Sequence, residues 1–140
     1  MKIVLDTNVL VSALLHPGSL PSRVVDLVLT RQVTLAFDLR IFGEYQEVLL
    51  RPEFAFPPQQ VSDLMAFLWS VGERVQAASL PLRLPDPDDV MFIEVAVSAL
   101  ADALVTGNGK HFPVSQRHGA RVFNPREWLT VWANRESANK

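Results

Sequence analysis

No cysteine occurs among the 140 residues, which excludes disulfide frameworks, thiolate zinc sites and cysteine nucleophiles together. Histidine is nearly as scarce. His16, His111 and His118 are too dispersed to suggest a zinc triad, and each reads as a surface residue. No apolar run approaches the roughly 20 residues that span a bilayer. Lys2 followed by Ile3-Val4-Leu5 loosely imitates a secretory leader, but Asp6-Thr7-Asn8 interrupts it. The chain therefore reads as mature from Met1, cytoplasmic, with no membrane association. A positive surplus is lacking too: 13 Lys and Arg against 15 Asp and Glu leave a formal charge of −2, so no global basic field marks a polyanion binder. The charge is nevertheless uneven, with 7 basic and 13 acidic side chains in residues 1–109 and 6 against 2 in residues 110–140. Lys110, Arg117, Arg121 and Arg126, with His111 and His118, outline a basic strip beside an acidic body.

What is present fits one globular domain over residues 1–140, with 49% hydrophobic and 20% charged residues. Ile3-Val4-Leu5 is an apolar, β-branched run without alternation, as in a strand buried on both faces of a parallel sheet. Asp6-Thr7-Asn8 then starts a helix that His16-Pro17-Gly18 stops. Ser22 reads as the cap of a second helix, Val33–Phe37 as a second strand, and Asp38 as the cap of a helix to about Leu50, which Arg51-Pro52 ends. A further helix over about 59–71, a short strand at 74–77 and a proline-bearing loop at 80–87 follow. Residues 90–100, apolar on nearly every side, predict a helix deep against the sheet. Strands at 103–106 and 121–123 and a helix from Pro125 complete the chain. Strands alternating with helices imply an α/β fold, a three-layer α/β/α sandwich around a central parallel sheet.

Sites in such sheets form outside the carboxyl ends of the strands. Asp6 directly follows the first strand and Asn108 follows the 103–106 strand. Glu44, three residues after Ile41 and four before Val48, lies within an apolar helical face, where a carboxylate is costly unless paired, neutralised or metal-bound. Glu47, four residues before Arg51, is a solvated ion pair. Asp89 shares its face with Phe92, Ile93 and Ala96 and points inward; Asp88 has weaker claims, and Asp86 caps or braces the loop. Glu94 shares a stripe with Ser98 and reads as solvent-facing or at a partner interface. Carboxylates converging on one edge repel one another, and a divalent cation resolves the conflict. Oxygen donors without cysteine or spaced histidine favour Mg²⁺ or Mn²⁺.

These segments together resemble the PIN-domain nucleases: Val4-Leu5-Asp6-Thr7-Asn8-Val9-Leu10, Glu44-Tyr45-Gln46-Glu47-Val48-Leu49, Asp86-Pro87-Asp88-Asp89 with Phe92-Ile93-Glu94-Val95-Ala96, and Leu104-Val105-Thr106-Gly107-Asn108 with His111-Phe112-Pro113. The likeness is greatest to bacterial PIN proteins classed as toxin components of toxin–antitoxin systems. It implies a Mg²⁺- or Mn²⁺-dependent ribonuclease whose metal-binding and catalytic acids are Asp6, Glu44 and Asp89, with Asp88 beside them. Thr7, Asn8, Asn108 and Lys110 are expected to face the substrate. Asn108 replaces the aspartate frequent at the family's fourth position, which removes one negative charge and favours a single metal. Expected partners are an RNA substrate, an antitoxin protein and a second copy of the chain. Two alternatives stand beside this reading: a catalytically weakened binding module, and a phosphatase using Asp6 as nucleophile.

Overall fold

The computed structural model describes residues 1–139. Its centre is a five-stranded sheet, all parallel, in the order β3-β2-β1-β4-β5. The strands are β1 (Lys2–Leu5), β2 (Thr34–Phe37), β3 (Glu73–Arg74), β4 (Ala103–Val105) and β5 (Val122–Phe123). Among the described residues, six α-helices complete the three-layer α/β/α sandwich: α1 (Thr7–Leu15), α2 (Leu20–Leu29), α3 (Leu39–Leu49), α4 (Pro58–Val71), α5 (Val90–Ser98) and α6 (Pro125–Ala138). None of the described helices is long and apolar enough to cross a membrane.

The strand sequences explain the layering. Ile3, Val4 and Leu5 are buried, as are Leu35–Phe37 and Ala103–Val105, because the central strands are covered on both faces. Local chemistry sets the helix starts. Asp38 Oδ1 accepts from the Ile41 amide (3.0 Å) at the head of α3, and Asn124 and Glu127 form a reciprocal capping box at the head of α6. At α2 the sequence reading is corrected. The cap is Ser19, whose Oγ accepts from the Ser22 amide (3.3 Å). Leu20 and Pro21 are already helical, since a proline in the first turn gives up only an amide that lacks an intrahelical partner. The third strand is likewise shorter and earlier than expected, at Glu73–Arg74, where it pairs with Ala36 and Phe37.

The strand order positions the site. The chain moves from β1 to β2 and β3 on one side, then returns to β4 and β5 on the other, so the β1–β4 boundary is the switch point at which α/β sheets open a crevice. Register pairs Leu5 with Val105. Asp6 and Thr106 therefore leave the sheet side by side, and the Asp6 amide donates to the Val105 carbonyl (2.9 Å).

Candidate active site

Asp6 opens α1, yet its side chain does not cap the helix. Oδ2 instead accepts from the Thr106 hydroxyl (2.7 Å), and that hydroxyl oxygen accepts from the Asn108 amide (3.0 Å). Asp6 is thus held by the neighbouring strand. Burial raises its pKa above the usual carboxylate range, with the Thr106 hydrogen bond offsetting part of the effect. One residue on, the Thr7 hydroxyl donates to Glu44 Oε2 and ties α1 to α3. Tyr45, fully buried, donates its hydroxyl to the Leu5 carbonyl (2.6 Å), so α3 also fixes the end of β1.

Glu44 is half-buried, and its pKa is raised first by desolvation and then by the negative charges of Asp6 and Asp88. The third candidate acid is Asp89. It is buried at the junction of a 3-10 turn (Pro87–Asp89) with α5, whereas Asp86 and Asp88 are exposed and Asp86 Oδ1 accepts from the Asp88 amide (2.9 Å). Desolvation, followed by the charges of Asp6 and Asp86, pushes the Asp89 carboxyl up to about 6. His111 Nδ1 stands 3.3 Å from Asp89 Oδ2 without hydrogen-bond alignment, and this buried oxygen has no hydrogen-bond donor.

These groups line one open cleft of about 470 Å³, bounded among others by Asp6, Thr7, Glu44, Asp88, Asp89 and His111. The donor set fits a hard divalent cation: oxygen ligands, an orphaned buried carboxylate oxygen, and three acids whose charge is disfavoured by burial and, at Glu44 and Asp89, by neighbouring acids as well. In this arrangement no three Asp, Glu or His side chains among the described residues stand close enough to share one ion, so the fit is of chemistry and charge.

The remaining residues singled out in the sequence divide. Asn8 lines the cleft, and its Oδ1 accepts from the Gly107 amide (3.1 Å). The Asn108 side chain is engaged with His111, Nδ2 to Nε2 at 3.0 Å. Lys110 is exposed and is not part of the cleft wall. The basic strip is broken up. Arg117 Nε donates to the Phe112 carbonyl (2.8 Å), and Arg121 lies at the opposite, amino end of β5, where with His118 it borders the far end of α5. Glu94 is corrected: it is 4% exposed and is neither solvent-facing nor free. Its Oε1 accepts from Arg40 (2.8 Å) and its Oε2 from the Leu80 amide (2.7 Å), because α5 is buried all round and loop 75–86 covers this side. Thr106 and His111 were not legible as site residues. Both lie in the segment Leu104–Asn108 with His111-Phe112-Pro113 that carries part of the family resemblance, but no residue pattern there marked either side chain as facing the acids.

The raised Asp89 pKa has a measurable consequence. Above about pH 6 the folded protein carries a charge that its surroundings disfavour; below the ordinary carboxylate range both folded and unfolded chains are protonated and the penalty is gone. Without divalent cations, Asp89→Asn is expected to stabilise the fold by about 1–2 kcal/mol at pH 7, since water at the open cleft screens part of the penalty. The gain should shrink as pH falls from 7 to 4. Urea denaturation in chelator across that range checks both statements.

The matching family model is described as PIN domain and covers residues 2–110. The chain is 24% identical over 141 aligned residues to an uncharacterised protein of Methanocaldococcus jannaschii, covering 92% of this chain and 90% of that one. In fold it is similar to VapBC2 of Rickettsia felis bound to a DNA fragment from its promoter, with TM-score 0.59, 19% identity, and 89% and 98% of the two chains covered. It is similar also to VapBC-1 of nontypeable Haemophilus influenzae, with TM-score 0.60, 16% identity, and 90% and 99% covered. A third similar structure is FitAcB of Neisseria gonorrhoeae, with TM-score 0.56, 16% identity, and 89% and 98% covered.

Proposed function

The chain belongs to the PIN-domain family, and we propose that it is a divalent-metal-dependent ribonuclease, folded as one PIN-like domain, that serves as the toxin of a toxin–antitoxin pair. The observation that carries the reading is the convergence of Asp6, Glu44 and Asp89 on the sheet's switch point, with one buried carboxylate oxygen left without a donor. Likeness in fold to the VapBC and FitAcB structures supports an antitoxin protein as partner, and a homodimer belongs to the same proposal.

In the mechanism, Asp6, Glu44 and Asp89 would hold Mg²⁺ or Mn²⁺, which when bound offsets charge at the phosphate and acidifies a water. Thr106 fixes the Asp6 carboxylate and Thr7 the Glu44 carboxylate, so two acids arrive oriented from neighbouring elements. Tyr45 keeps the β1 terminus in place beneath them. A carboxylate of the cluster accepts the proton of the attacking water. Asp88, exposed on the cleft rim, adds negative charge to the same field. Asn8, Asn108 and Lys110 are assigned to the substrate side, Asn108 acting through His111.

The purified protein should cleave RNA with Mg²⁺ or Mn²⁺, stop in chelator and resume on readdition of metal. Its expression should arrest growth, and co-expression of the neighbouring open reading frame should relieve the arrest. No cleavage under any divalent ion would overturn the enzymatic reading; harmless expression of an active enzyme would overturn the toxin role.

A further inference from the structure

The cleft has a second wall that the acids do not explain. Glu44 and Val48, four apart on α3, line it together with Arg51 and Phe54 from the chain that follows the helix. Val11 faces them from α1. Beside its acids the cleft thus has an apolar lining, with Arg51 its one arginine or lysine among the described residues.

The local chain shapes this wall. A 3-10 turn (Pro52–Phe54) follows Arg51, Ala55 takes a left-handed conformation (φ 53°), and Pro57-Pro58 start α4. Phe54 stacks on Phe56 with ring centroids 5.7 Å apart and planes 18° from parallel. Both rings are partly buried against the core. Arg51 is held by Glu47 through Nε (3.2 Å) and Nη2 (2.9 Å), which leaves Nη1 to donate elsewhere. A planar aromatic surface and a guanidinium in the same cleft as the acids match the two parts of a nucleotide that a carboxylate cluster cannot bind: base and phosphate.

We infer that Phe54 and Arg51 form a nucleobase subsite, in which an unpaired base of single-stranded RNA stacks on Phe54 while Arg51 contacts a phosphate beside it. The inference rests on the ribonuclease reading and adds to it the residues that hold one nucleotide beside the acids, a base reaching Phe54 only when unstacked. Phe54 and Arg51 bind substrate and take no part in the bond cleavage.

The test uses a labelled hexauridylate and the full chain carrying Asp6→Asn, so that RNA is held without being cut. Adding Phe54→Ala should weaken binding by about tenfold, within the range of one base–aromatic stack, and Phe54→Trp should restore it. Hexamers with one abasic position supply an arm without protein mutation. One such position should cost the Phe54 protein about the same factor and the Phe54→Ala protein nothing further. Arg51→Ala should lower the slope of log affinity against log salt by about 0.7, the share of one phosphate on a single strand. If Phe54→Ala unfolds, Phe54→Leu and the abasic series decide. Equal affinity for intact and every abasic hexamer, or an abasic penalty that survives loss of the ring, overturns the subsite while leaving the nuclease reading in place. A wild-type chain that neither binds nor cuts RNA overturns both.

Discussion

Asp6→Asn, Glu44→Gln and Asp89→Asn are each expected to lower metal-stimulated RNA cleavage by about a thousandfold or more, and any two together should be scarcely worse than one. Each change removes a charge and almost no volume. In Asp6→Asn the new amide's carbonyl oxygen can still accept from Thr106, and in Glu44→Gln it can still accept from Thr7, so the hydrogen-bond frame survives. The metal affinity does not, because a hard cation among oxygen donors is held mainly by their charge. The fold should stay intact in all three, which circular dichroism and urea denaturation check in parallel with a kinetic assay. Asp88→Asn separates the candidates for third acid: it should keep most of the activity, since Asp88 is exposed and Asp89 is the one buried among the acids. Activity lost in Asp88→Asn and kept in Asp89→Asn would transfer the role.

That Asp6, Glu44 and Asp89 line one cleft was legible because each broke a local pattern. Asp6 follows an unbroken apolar strand, Glu44 interrupts an apolar helix face, and Asp89 begins the most apolar helix of the chain. The fold was legible for the same reason, with strand and helix periods alternating along the chain. What stayed hidden was pairing across distance. Thr106 reaches Asp6 over 100 residues, and Arg40 reaches Glu94 over 54, so no window of sequence contains both partners. The basic strip failed because adjacent residues near the C-terminus are distributed to opposite ends of β5. Ser19 was missed at α2 because Leu20-Pro21 reads as loop, whereas proline in a first helical turn costs nothing that the helix would have used.

Glu94 is where the sequence misled most, and it carries the largest expected effect on stability. In a helix apolar on almost every side, a lone carboxylate reads as the wet face; the structure gives it neighbours that make burial tolerable. Asp38 caps α3 through Oδ1 and meets Arg40 through Oδ2, Arg40 bridges to Glu94, and Glu94 takes the Leu80 amide of the loop that leads to Asp86. The arginine is half exposed, so its ion pairs contribute modestly. The buried end is the costly one. Removing the carboxylate leaves the part-buried Leu80 amide without an acceptor and the Arg40 guanidinium with Asp38 alone, and Glu94→Ala is expected to destabilise the fold by about 1–3 kcal/mol. Glu94→Gln keeps an acceptor for Leu80 and should lose about 1 kcal/mol. Because the network ties loop 75–86 to α5, limited proteolysis of Glu94→Ala should cut first within 76–85, before global unfolding. Cleavage beginning elsewhere, with urea midpoints equal for the two variants, would mean that α5 packing alone holds this loop and that the Arg40–Glu94 bridge contributes little.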